Sequence, residues 1–165
     1  MADIRLGINP TQVDTVAQFP LGLICEDPRG GTSGTPNRIK YCKFGGTVTV
    51  GQAVRLDVTA TLAERHATVI ASSAANQKVE GISLPATIAS GQFGWIAYSG
   101  VATAATAATI VAGALLWTTG TAGTLDDTGF NATFAPAEAE AVVGGRQVIA
   151  LSTTSGGFAT VLIQN

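Results

Sequence analysis

Charge is what this sequence has least of. Only 12% of its 165 residues are Asp, Glu, Lys or Arg, about half of the roughly 25% usual in soluble domains. Nine basic residues face eleven acidic ones, for a net charge of −2 and a pI of about 5.2. With no basic excess there is no electrostatic case for binding nucleic acid. Histidine occurs once, as His66, with no partner at ligand spacing, so neither a metal site nor a His-based triad is expected. The two cysteines, Cys25 and Cys42, fit no zinc pattern and are too few for a disulfide scaffold. A single Cys25–Cys42 bond and two reduced, half-buried thiols both remain open, and the thiols are the simpler reading.

Other signatures of chemistry are missing too. No serine sits in a Gly-x-Ser-x-Gly elbow, and there is no phosphate loop or dinucleotide fingerprint. The spacing of a helix–loop–helix calcium site is absent. The neighbouring carboxylates Glu26-Asp27 and Asp126-Asp127 would point to opposite faces of a strand, a poor arrangement for shared acid–base work. The expectation is a protein that is not an enzyme and holds no cofactor or metal. The opening Met1-Ala2-Asp3-Ile4-Arg5 lacks the basic and apolar regions of a signal peptide. From Gly81 to Leu125 there is no charged side chain. In its most apolar part, Val101 to Trp117, threonines interrupt the run, alanine outweighs leucine, and no Lys or Arg flanks it, so it reads as strands rather than a membrane span.

What the sequence does have is small and apolar. Alanine (27), threonine (22) and glycine (20) are the commonest residues. A hydrophobic content of 46% and a mean hydropathy of +0.34 suffice for collapse into one domain of this length. Charge is concentrated at the front: residues 1–43 hold five basic and four acidic side chains. Residues 1–18 read as an extended arm in which Ile4, Leu6 and Ile8 alternate with polar or small residues. Residues 19–165 read as one β-rich domain. Its first part, 19–45, is a hairpin with Leu21, Leu23 and Cys25 facing Ile39 and Tyr41, around a long Gly/Pro/Ser loop at 27–37. The body, 46–165, is a series of short strands. Three copies of a weak motif recur there, centred on Gly51, Gly91 and Gly113. Each glycine is expected to take the positive φ that a tight turn into a strand demands. Further strands are expected at 66–71, 78–84, 147–153 and 158–163, the last two joined by Thr154-Ser155-Gly156-Gly157. Helix signals are thin. The Ala-rich 103–110 is spoiled by threonine, and 136–142 divides equally between a short helix and a polar loop. The fold class is therefore all-β, a small sandwich or barrel with an extended N-terminal arm and little helix.

Several runs resemble a known family. Phe19-Pro20-Leu21-Gly22, the segment from Ile39 through Phe44-Gly45-Gly46-Thr47 to Gly51-Gln52-Ala53-Val54, Tyr98-Ser99-Gly100-Val101-Ala102 and Ile110–Leu116 together resemble the tailed-bacteriophage capsid decoration proteins, also called cement or head-stabilising proteins. The likeness covers most of residues 19–125 and the last twenty. The 27–37 loop and the 126–141 segment depart from the pattern. The resemblance implies a β-tulip-like domain on the exterior of a virion, made in the cytoplasm of a bacterial host. Its partners would be the major capsid protein and itself, as a trimer or, less commonly in the family, a dimer. It implies no nucleic acid and no membrane.

On that reading the candidate interface residues are Ile4, Leu6, Ile8, Val13, Val16, Phe19 and Leu21 of the arm and hairpin, with the aromatics Trp95, Tyr98 and Trp117. Ordering the arm costs about 1–2 kcal/mol per residue. Docking each large apolar side chain returns about 1.5–3 kcal/mol, so the arm needs a covering surface. The uncharged 81–125 stretch is expected to supply the core and subunit contacts. The same aromatics also admit a second reading, a virion-surface or secreted β-domain that binds glycans.

Overall fold

The computed structural model describes residues 7–27, 37–74, 77–107, 109–127 and 147–164. Among them every regular element is a strand: β1 (Ile24–Glu26), β2 (Arg38–Phe44), β3 (Val48–Thr49), β4 (Ala53–Leu56), β5 (Thr68–Ala71), β6 (Gly81–Ser83), β7 (Thr87–Ile88), β8 (Phe93–Ala105), β9 (Leu115–Thr118), β10 (Leu125–Asp126), β11 (Gln147–Ala150) and β12 (Phe158–Gln164). The all-β expectation holds, and of its two forms the barrel is the one adopted. The segment 136–142 lies outside the described residues, as do Ile4, Leu6 and most of the 27–37 loop.

Five strands close the barrel in the order β2–β5–β4–β6–β8, with β8 pairing back to β2. Within the barrel, β2 and β5 run parallel and the other described pairs are antiparallel. The interior follows from alternation along the strands. Cys42 and Phe44 of β2, Val54 of β4, Val69 of β5 and Ile96 of β8 form one buried cluster. Val48 and Ile88, from the β3–β7 ribbon, belong to the same cluster.

The barrel is covered on two outer sides. On one, Ile39, Tyr41 and Trp95 point outward and are covered by Ile8, Phe19, Leu21, Leu23 and Cys25. On the other, Ala53, Val79, Ile82 and Ala97 meet Leu116, Val148, Ala150, Val161 and Ile163 of a second sheet. That sheet runs β8–β12–β11–β9–β10. Strand β8 belongs to both: Phe93–Ser99 pairs with β2 and β6, and Gly100–Ala105 pairs with β12. It passes between them at Gly100, whose φ is +95°. There the Asn37 side chain accepts from Val101 N (2.8 Å) and donates to Val101 O (3.1 Å). A side chain at position 100 would collide with Asn37.

Two sequence features resolve clearly. The three motif glycines, Gly51, Gly91 and Gly113, have φ of 80°, 83° and 89°, the left-handed turns expected of them. The hairpin forms as read, with Cys25 opposite Ile39. Its second strand is also a barrel wall, so the 19–45 hairpin is continuous with the body.

Candidate functional site

The second sheet buries one face and exposes the other. Leu116, Val148, Ala150, Ala159, Val161, Ile163 and Ala104 point into the core. The alternate residues therefore form the outer face, and the strand register sets them in rows. Leu115, Ile149, Leu162 and Val101 stand side by side across β9, β11, β12 and β8. Leu151 and the Thr160–Thr103 pair form the next row, followed by Phe158 opposite Ala105. On the other side of the aliphatic row come Gln147 and Gln164, with Trp117 further out on β9.

No residue in those rows is charged. Asp126, on the edge strand β10, lies directly opposite Trp117, and the Asp127 carboxylate accepts from Val111 N at 2.9 Å. Leu115, Leu151 and Phe158 are exposed at 37%, 47% and 40%, and Val111, in the turn before β9, at 64%. Four strands spaced about 4.8 Å apart, β9 and β11 of four residues each and β12 of seven, give a face roughly 15–20 Å on each side. That is at most about half the area each partner buries in a standard stable complex. One such contact is weak; repeated over a lattice, it becomes firm.

The residues predicted for an interface scatter. Ile8, Phe19 and Leu21 lie in the cluster around Trp95, and Val13 packs against the barrel core. Trp95 itself is buried, at 1% exposure, between Phe19 and Tyr41 with ring centroids 5.3 and 5.0 Å away. Ile8, Val13, Phe19 and Leu21 are thus partly buried against the chain's own barrel. Val16 alone among the described arm candidates is freely exposed, at 68%. Tyr98 is half-buried with the Lys40 ammonium 5.3 Å from its ring centroid. Trp117 is half-buried at the edge of the charge-free face.

What fixes the arm was not visible in the sequence. Asp14 exchanges both backbone hydrogen bonds with Phe93. Its carboxylate accepts from the Tyr41 hydroxyl at 2.7 Å and from Gln12 Nε2 at 2.7 Å. Burial and the Asp14 carboxylate push the Tyr41 hydroxyl pKa up to about 12. Inside the barrel mouth Lys40 Nζ donates to Glu80 Oε1 at 2.6 Å and to the His66 carbonyl at 2.9 Å. Alternation marks Lys40 as an inward residue of β2, and that is the one signal that would have found this pair.

Groups that could do chemistry stand apart. His66 is exposed in the turn before β5, its Nε2 3.3 Å from Leu21 O. Cys25 and Cys42 are free thiols. Burial pushes the Cys42 thiol up to about 12, and burial followed by the Asp27 charge raises Cys25, which disfavours the nucleophilic thiolate. Among the described residues no three His, Cys, Asp or Glu side chains gather to hold a metal ion, and no helix is long and apolar enough to cross a membrane. Comparison of the chain with protein-family models, curated proteins and solved structures returns no match.

Proposed function

We propose that this chain is a structural virion protein that sits on the outside of an icosahedral phage head and cements neighbouring major capsid proteins. It would act by binding alone, as a homo-oligomer, with a trimer favoured. The observation that carries this reading is the charge-free outer face of the second sheet, with its row of Leu115, Ile149, Leu162 and Val101. A face that exposes aliphatic rows without charge is a surface suited to contact with other protein. The motif likeness to capsid decoration proteins points the same way. The glycan-binding alternative loses Trp95 to the interior and keeps only Tyr98 and Trp117.

The test is cosedimentation of the purified chain with expanded and unexpanded heads of the phage that encodes it, beside analytical ultracentrifugation of the chain alone. Saturable binding to expanded heads by an oligomer supports the proposal. A monodisperse monomer at micromolar concentration that leaves heads unbound rejects it.

A further inference from the structure

One stretch of backbone edge lies open beside the charge-free face. Strand β8 runs next to β2 as far as Ser99, opposite Arg38, and from Gly100 onward it pairs with β12. Leu151 N donates to Thr160 O at 2.8 Å, so the Thr160 backbone faces β11. Its neighbours Ala159 and Val161 therefore face β8, opposite Ala104 and Ala102. By the same alternation Val101, Thr103 and Ala105 aim their N–H and C=O groups away from β12. The outer two of these residues are engaged there. The Asn37 carboxamide accepts from Val101 N at 2.8 Å and donates to Val101 O at 3.1 Å, the double contact that a neighbouring strand's backbone would make. Ala105 N donates to Gly51 O at 2.8 Å. Between them, no described residue bonds to the backbone of Thr103 on this side. Thr103 is exposed and borders a cavity of about 320 Å³, lined on the sheet side by Val101, Thr103 and Thr160 and on the barrel side by Asp27, Arg38 and Val50.

We propose that this open edge takes the backbone of an extended segment of a partner protein, which pairs with Thr103 N–H and C=O as the Asn37 amide pairs with Val101. An unpaired strand edge is a template for such addition. Asn37 closes the slot at Val101 and Gly51 closes it at Ala105, about 13 Å away at about 3.3 Å per residue. A strand running straight through would meet both; a loop tip of a few residues fits between them. Val101, Thr103 and Thr160 also stand in the rows of the outer face, so one neighbour would cover face and slot together. On the proposed function, on which this rests, that neighbour is the capsid protein. The slot then supplies the directional contact that an aliphatic row lacks.

The experiment is cosedimentation of wild type, Thr103→Pro and Thr103→Ala with expanded heads, beside ultracentrifugation of each variant alone. Proline removes the outward N–H and leaves the bonds of Ala102 and Ala104 to β12 in place; alanine keeps the N–H. Thr103→Pro should weaken head binding about fivefold per site, and more where an oligomer engages several sites at once. Thr103→Ala should stay close to wild type. Hydrogen exchange of the wild-type Thr103 amide, on and off heads, needs no folded proline variant and should slow at least tenfold on binding. Equal binding by Thr103→Pro and wild type, or a Thr103 amide that does not slow, overturns the slot while leaving the capsid reading in place. Loss of the oligomer by Thr103→Pro without heads assigns the slot to a second copy and overturns the capsid partner. Failure of wild type to bind heads overturns the capsid reading and the slot together.

Discussion

The two outer sides of this molecule handle apolar surface in opposite ways. On the barrel side, Trp95 and Tyr41 project outward and the chain covers them itself with Phe19, Leu21 and Ile8. On the second sheet, Leu115, Ile149 and Leu162 also project outward, yet Leu115 remains 37% exposed. The first side uses large aromatics, buried hydrogen bonds and charged neighbours. The second uses threonine, alanine and aliphatic residues, with Asp126 opposite Trp117 at its edge. One surface is covered by the chain itself; the other stays open, and the proposed function assigns it to a neighbour. Substitutions should therefore separate into those that unfold the chain and those that alter only its association.

The largest effects belong to the barrel side. Trp95→Ala removes a side chain exposed by only 1% and should cost about 3–5 kcal/mol in chemical denaturation. Leu115→Ser and Leu162→Thr on the sheet face should each cost under about 1 kcal/mol while lowering the oligomer fraction in ultracentrifugation. If the sheet-face changes proved as destabilising as Trp95→Ala, the contrast between the two sides would collapse.

The barrel mouth gives the next effect. Lys40→Met strands the Glu80 carboxylate, 8% exposed, and should cost about 3–5 kcal/mol. The double change Lys40→Met with Glu80→Leu should recover most of that loss, because paired buried charges add little net stability. Denaturation of the two variants side by side checks this.

Tyr41→Phe removes the 2.7 Å bond to Asp14 and leaves a buried carboxylate one donor short. The expected loss is about 1–3 kcal/mol, together with faster amide exchange at Asp14 and Phe93, whose backbone bonds hold the arm. Exchange in the β11–β12 pair should not change.

The smallest effect is a pH dependence. The raised pKa values of Cys42 and Tyr41 belong to acids kept neutral by the fold. Their contribution is complete below the ordinary values of 9.0 for the thiol and 10.0 for the hydroxyl. It is lost as pH rises through the folded values near 12. Stability should thus decline from about pH 9 upward, and Cys42→Ala should flatten the first part of that decline. Asp57 works in the opposite direction. Hydrogen bonds from Thr59 lower its pKa below 3.8, so its contribution is complete above that value and lost as pH falls through the folded one.

Local patterns carried most of the fold. The period-two alternation at 147–153 and 158–163 became β11 and β12, and the repeated glycines became left-handed turns, because both signals are set by neighbouring residues. Closure of the barrel was not legible. It depends on the parallel pairing of β2 with β5 and on one strand, β8, serving two sheets, which no window of sequence contains. The site was only partly legible for the same reason. Trp95 suggested an anchor by residue type, but its exposure was decided by Phe19, 76 positions away. Leu115, Ile149 and Leu162 looked like ordinary strand positions until register placed them in one row. The expected core contribution of the uncharged residues 81–125 is met, since they supply Ile82, Ile88, Trp95, Ile96 and Leu116 to the core.

The most direct test of the proposed role is electron cryomicroscopy of icosahedral phage particles purified from the source of this chain. Density for the chain is expected on the outside of the icosahedral head, with Leu115, Ile149 and Leu162 covered by a neighbouring protein. A head without this chain on its surface, or a map in which that face meets only solvent, would contradict it.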